Sequence, residues 1–243
     1  MDYSSTEKME VIVEISSLEI TAGKGGKILI ENFSGKINSG ELIALTGLNG
    51  SGKSTLLFSL CGLNNPNKGK VEIKGKNLHS STVQEKSRLC SIVFTSQENI
   101  PWMDVYSFVA SGRAPHTNLM GNLSAEDKSV IEKIISETRL KDFEERFIHT
   151  LSDGEKQRCL IARALVQDTP FILLDEPTAF LDIRNKKQMM ELLKELSIKH
   201  QKAILFSTHD IQLAKKYSNS IWWINDKKIS AVSPENFNEE VFH

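Results

Sequence analysis

The 243-residue chain has little of several things that would direct its reading elsewhere. Its 30 basic residues are balanced by 31 acidic ones, so no cationic excess advertises a nucleic-acid or anionic-membrane partner. It has three cysteines, Cys61, Cys90 and Cys159, an odd count without C-x-x-C spacing, which argues against a disulfide scaffold or a zinc site and for a reducing, cytosolic compartment. Aromatics make up only 7%. No run of 18 apolar residues occurs, so nothing is expected to span a bilayer unaided. Asp2, Glu7, Lys8 and Glu10 break up the stretch where a signal peptide would need an apolar core, so the chain is not expected to be secreted. What remains is ordinary globular composition, 40% hydrophobic and 25% charged, and enough chain for a substantial core.

The order of segments predicts a parallel α/β core with a helical insertion. Val11, Val13 and Ile15 alternate with polar neighbours as a strand would, and Leu42 to Leu45 form an apolar run that stops at Thr46-Gly47. Lys53 to Cys61 reads as a helix, Pro66 to Gly69 as a turn, and Cys90 to Phe94 as a strand. Residues 101–165 read as mostly helical, with Ser124 and Asp127 spaced as a capping box. Strand-helix alternation then returns: Phe171 to Leu174, a helix with Met189, Leu192, Leu193 and Leu196 on one face, and Ala203 to Ser207.

Between the second strand and the helix that follows lies Gly47-Leu48-Asn49-Gly50-Ser51-Gly52-Lys53-Ser54, which fits G-x-x-x-x-G-K-[ST] in the strand-loop-helix setting that the motif requires. Gly50 and Gly52 let successive N–H groups turn inward on phosphate oxygens, at the positive end of a helix that continues into Thr55. Lys53 then reaches the β- and γ-phosphates, and the Ser54 hydroxyl is a Mg²⁺ ligand. A plain glycine turn has no need of the lysine-serine pair at that register. Further on, Phe171 to Leu174 closes on Asp175-Glu176, as a buried parallel strand would deliver two carboxylates at its C-terminal edge. Asp175 suits the magnesium shell and Glu176 the general base that polarises the attacking water, while a solvated strand end before Pro177 is the bland alternative.

Leu151-Ser152-Asp153-Gly154-Glu155-Lys156-Gln157-Arg158 resembles the signature of ATP-binding-cassette ATPases. With it the remaining motifs fall in order over essentially the whole chain: Gln97 resembles the Q-loop glutamine, Ala179 to Asp182 the D-loop, and Ser207-Thr208-His209-Asp210 the switch histidine. The resemblance implies a single P-loop NTPase cassette over 1–243. In it, an N-terminal antiparallel β region and a parallel-sheet core (1–98 and 166–243) carry a helical signature subdomain at about 99–165. It implies two copies of the chain paired head to tail around two ATP molecules with Mg²⁺. Ser152, Asp153, Gly154 and Glu155 would then act in trans on the opposite γ-phosphate, with Asp182 bridging the subunits. His209 would contact the γ-phosphate, and Gln97 would join magnesium to a membrane partner.

Two departures stand out. The family commonly has Gly-Gly-Gln where this chain has Asp153-Gly154-Glu155. A carboxylate about 6 Å from a phosphate charge costs roughly 3 kcal/mol at an effective dielectric near 20, so these side chains are expected to point away or lean on Lys156 and Arg158. The family also stacks adenine on an aromatic ring in the N-terminal β region, yet no aromatic residue lies between Tyr3 and Phe33, and alignment puts Lys24 there. Weak discrimination between ATP and GTP is the expectation that follows.

Residues 105–128, with Gly112-Arg113-x-Pro115-His116-Thr117 and Leu123-Ser124-x-Glu126-Asp127, resemble the helical segment of ATPases that drive importers of iron chelates, haem and cobalamin. That resemblance implies a peripheral subunit on the cytoplasmic face of the inner membrane. An integral permease would dock near Gln97 and residues 102–117, using Trp102, Tyr106, Phe108, Arg113 and His116, and an external binding protein would be reached through it. The bland alternative is that the aromatics fill the helical subdomain. A soluble cassette serving iron-sulfur cluster assembly is the other functional reading, and none is drawn toward nucleic acid.

Overall fold

The computed structural model describes residues 10–23, 26–94, 102–117 and 121–238. Two sheets organise them. The smaller contains β1 (Val11–Thr21), β2 (Ile28–Asn38), β4 (Lys68–Ile73) and β5 (Lys76–Asn77), antiparallel in the order β2-β1-β4-β5. The larger runs β10-β9-β3-β8-β7-β6, from β3 (Leu42–Gly47), β6 (Cys90–Val93), β7 (Phe171–Leu174), β8 (Ala203–Ser207), β9 (Ser220–Asn225) and β10 (Lys228–Val232). β10 is its antiparallel edge, and the other five strands are parallel.

β3, β7 and β8 are buried at every position, which is why they read as unbroken apolar runs rather than alternating ones. Alternate side chains serve two cores. Leu42, Ala44, Ile172, Leu174, Ile204 and Phe206 face a helical layer, while Ile43, Leu45, Phe171, Leu173, Ala203 and Leu205 face α1 (Lys53–Leu60) and the small sheet. Between β6 and β7 the chain passes through α3 (Val105–Ala110), a 3-10 turn at Ser111–His116, α4 (Ala125–Glu137) and α5 (Asp153–Val166). The remaining helices are α2 (Val83–Leu89), α6 (Ile183–Lys199) and α7 (Ile211–Tyr217). Among the described residues no helix is long and apolar enough to cross a membrane.

Two local expectations shift. Val11 is exposed, while Ile12, Val13 and Ile15 are buried, because a register shift between Val11 and Val13 resets the alternation. Gly69 belongs to β4 rather than to a turn, and its φ of 82° fits its close approach to β1, where a Cβ would sit 2.3 Å from the Ser16 carbonyl oxygen.

The expected docking residues correct more sharply. Phe108 is buried, with the Arg163 guanidinium over its ring at 5.0 Å. Arg113 is buried too: its Nε donates to Asp127 Oδ1 at 2.8 Å, its Nη2 lies 2.7 Å from the same oxygen, and its Nη1 donates to the Val166 carbonyl at 2.9 Å. His116 Nε2 lies 2.9 Å from the Gln167 carbonyl. Gly112 lets this turn touch α5, since a Cβ there would fall 2.2 Å from the Arg163 carbonyl oxygen. The Gly112 to Thr117 string is therefore a clamp holding the helical segment together, because its polar groups find partners inside the chain.

That clamp makes a testable contribution to stability. The Ser124 hydroxyl and N–H donate to Asp127, and with Arg113 they outweigh burial and hold its pKa down at about 2. A depressed folded-state pKa stabilises above the unfolded value of about 4 and is lost as pH falls through about 2. Arg113→Ala leaves the carboxylate buried without its guanidinium and is expected to cost about 3–5 kcal/mol near neutral pH. Urea unfolding at pH 7 checks it, with a loss under about 1 kcal/mol counting against the clamp.

Candidate functional site

The loop after β3 is shaped by glycines at two tight positions. At Gly47 a Cβ would meet the Ile224 carbonyl oxygen at 2.7 Å, and Gly52, the residue before α1, has φ 103°. Lys53 opens the helix and is nearly enclosed, with Nζ donating to the carbonyls of Gly47 (2.8 Å) and Leu48 (3.1 Å). Burial lowers its pKa, opposed by Glu176 and then Asp175. An enclosed ammonium held by its own loop and facing two carboxylates suits an anion placed between them.

Asp175 and Glu176 follow β7, as expected, and one further residue arranges them. The Ser207 hydroxyl at the end of β8 donates to Asp175 Oδ1 (2.7 Å) and accepts from the Glu176 N–H (2.8 Å). Asp175 Oδ2 is left 3.4 Å from Ser54 Oγ. Glu176 has φ 46°, a left-handed conformation uncommon outside glycine, and its carbonyl accepts from the Ala179 N–H at 3.0 Å. That turn directs its carboxylate to Nε2 of His209, with which it pairs. A cleft of about 520 Å³ opens beside this pair, bounded also by Thr178, Lys186 and Asp210. The sequence reading gave Ser207 no role, because a hydroxyl bridging two strand ends is visible only once β7 and β8 are neighbours.

Ser54 Oγ and Asp175 Oδ2 form a hard-oxygen pair that fits Mg²⁺, which binds through few protein ligands and takes the rest from water and phosphate. Gln97, the third expected ligand, lies outside the described residues, as does Lys24.

The signature residues lie elsewhere. Ser152 caps α5, and Glu155 turns back so that Oε2 accepts from the Ser152 N–H (2.8 Å) and hydroxyl (2.7 Å), a full capping box. Burial raises the Glu155 pKa, but the bonds from Ser152, with Arg158 and Arg146, bring it below the ordinary value. Asp153 leans toward Lys156 at 3.7 Å. Gly154 faces Asn185 of α6, whose N-cap is Asp182: the Asn185 N–H and Nδ2 donate to its two carboxylate oxygens at 2.7 and 2.9 Å. Among the described residues, no hydrogen bond or ion pair joins Ser152, Asp153, Gly154 or Glu155 to the phosphate loop, Asp175 or Glu176.

Of the expected docking aromatics, Trp102 is 84% exposed and packs on His149 at 4.5 Å between ring centres, with half-exposed Phe147 beside them. Tyr106 is half-buried.

Comparison with known proteins agrees with this geometry. The sequence profile of the ABC transporter family matches residues 30–179. A petrobactin import ATP-binding protein, FpuD of Bacillus anthracis, is 34% identical over 217 residues, covering 89% of this chain and 80% of that protein. A cobalamin import ATP-binding protein, BtuD of Halobacterium salinarum, is 31% identical over 89% of this chain and 54% of its own. The fold is similar to the dimeric, ADP- and Pi-bound ATP-binding cassette MJ0796, with TM-score 0.77 and 26% identity over 93% of this chain and all of that one. This chain belongs to the ABC transporter family and is one of its ATPases.

Proposed function

We propose that two copies of this chain pair head to tail around two ATP molecules and couple their hydrolysis to the import of an iron chelate through a membrane permease. The observation that carries the reading is the separation of parts within one chain. Lys53, Ser54, Asp175, Glu176 and His209 converge at the strand ends, while Ser152 and Gly154 share no bond with them. A second chain brought face to face would supply the missing helix N-terminus, and the structurally similar cassette MJ0796, dimeric with ADP and Pi bound, supports pairing of two copies.

In this reading the loop N–H groups from Gly47 to Thr55 and the Lys53 ammonium hold the triphosphate, and Ser54 and Asp175, with Gln97, hold Mg²⁺. The metal, when bound, offsets phosphate charge. Glu176, fixed by the Ser207 hydroxyl and by His209, accepts the proton of the attacking water. His209 stabilises the charge that develops on the γ-phosphate. Ser152 and the α5 N-terminus complete the partner's site, with Asp182 next to that junction.

The whole chain then acts as one cassette peripheral to the cytoplasmic face of the inner membrane. Trp102 and Phe147, whose rings pack edge to face, offer an exposed apolar contact for the permease. FpuD supports an iron chelate as cargo and BtuD supports cobalamin, and the iron chelate is favoured by the higher identity. Deleting the gene is expected to abolish uptake of a radiolabelled iron chelate and to leave labelled cobalamin uptake unchanged. The reverse pattern would assign cobalamin, and intact uptake of both would contradict the importer reading.

A further inference from the structure

The capping box at the start of α5 does more than close a helix end. Glu155 Oε2 takes both protons that Ser152 can offer, from its N–H at 2.8 Å and its hydroxyl at 2.7 Å, and the Glu155 N–H lies 3.4 Å from the hydroxyl oxygen in return. A serine hydroxyl carries one proton, so while this bond stands Ser152 can donate to nothing else. A bond to a carboxylate is roughly twice as strong as a neutral one, so the hold is firm.

The box that opens α4 shows what differs here. Asp127 accepts from Ser124 in the same way, but Arg113 lies against that carboxylate at 2.7 Å and neutralises it inside the fold. Burial raises the Glu155 pKa, while Ser152, and then Arg158 and Arg146 through their charge, bring it below the ordinary value, so Glu155 is an anion at neutral pH. It sits on the first turn beside Ser152, which is exposed. The N-terminal end of a helix favours one negative charge, and Glu155 already supplies it. A phosphate arriving there meets a place that is taken, with a like charge in it. The displaced carboxylate has somewhere to go: Arg158 is its neighbour one turn along α5, and the buried Nε of Arg158 has no hydrogen-bond partner among the described residues.

We propose that Glu155 is a lock on α5, one that holds Ser152 while the chain is single, has to let go before the partner's γ-phosphate can take its place, and so limits how tightly two chains close around ATP. The inference rests on the head-to-tail reading above. It gives Glu155 a part opposite to the one expected from the sequence, where all four residues from 152 to 155 act together on the opposite γ-phosphate.

The test measures pairing by sedimentation in Glu176→Gln chains, which should not consume the nucleotide, with Mg²⁺ and either ATP or ADP. Adding Glu155→Gln keeps the capping box, because glutamine also fills that position, but weakens the hold on Ser152 and removes the charge. With ATP the added substitution is expected to tighten the dimer at least about tenfold, and the gain should shrink as salt is raised. With ADP, which lacks the γ-phosphate, the change should stay under about twofold. A purely structural cap predicts no gain with either nucleotide. Unchanged or weaker pairing with ATP, or an equal gain with ADP, would overturn the lock. Absence of ATP-dependent pairing in both chains would instead overturn the head-to-tail reading, and the lock with it.

Discussion

Replacing Glu176 by glutamine is expected to lower steady-state ATP hydrolysis on the order of 10²-fold or more while nucleotide affinity stays within about threefold of wild type. The amide keeps the shape of the side chain, its left-handed backbone and a hydrogen bond toward His209, but it cannot take a proton from water. Binding is held by other groups. Lys53→Ala supplies the contrast, because it removes the ammonium and is expected to weaken nucleotide binding at least about tenfold. Steady-state phosphate release and equilibrium titration on both variants separate the roles. Normal turnover in Glu176→Gln would remove it from the base position, and equal affinity in the two variants would contradict the phosphate-loop assignment.

What could be read from the sequence follows from how local each feature is. β7 and β8 were legible at their observed bounds because strands buried on both faces show as apolar runs, and each ends where a polar residue must reach the site. The phosphate loop was legible because its backbone conformation needs particular residues at fixed spacing. The Ser124-Asp127 cap was read for the same reason. Ser152 and Glu155 carry the identical spacing, so the inward turn of Glu155 was available from the sequence, although the reading looked to Lys156 and Arg158 for its partner.

Arg113 and His116 misled because a basic residue at a helix end looks solvent-facing, and their partners Asp127, Val166 and Gln167 lie 14 to 53 residues away. The bridge from Ser207 to both Asp175 and Glu176 depends on strand order, which no local pattern encodes. A cavity beside Thr55 is likewise assembled from β1, α1 and a following loop, so no local pattern announces it.

The capping box at Ser152 bears on how the composite site is completed. Glu155 occupies the hydroxyl and N–H of Ser152, and its carboxylate lies at the helix end that the partner's phosphate would approach. An arginine at 152 removes the hydroxyl and fills that approach, so Ser152→Arg homodimers should be inactive, as Glu176→Gln homodimers should be. Mixing the two variants creates dimers in which one site has both its glutamate and the facing serine intact, while the other site collects both defects. With equal mixing, half the dimers are mixed and each has one working site of two, so about a quarter of wild-type hydrolysis should return if the sites fire independently. The decisive measurement is ATPase activity of the mixture, with differently tagged chains used to verify that mixed dimers form. Recovery to that level is the result the shared-site account predicts, and activity no greater than that of the two homodimers alone would contradict it.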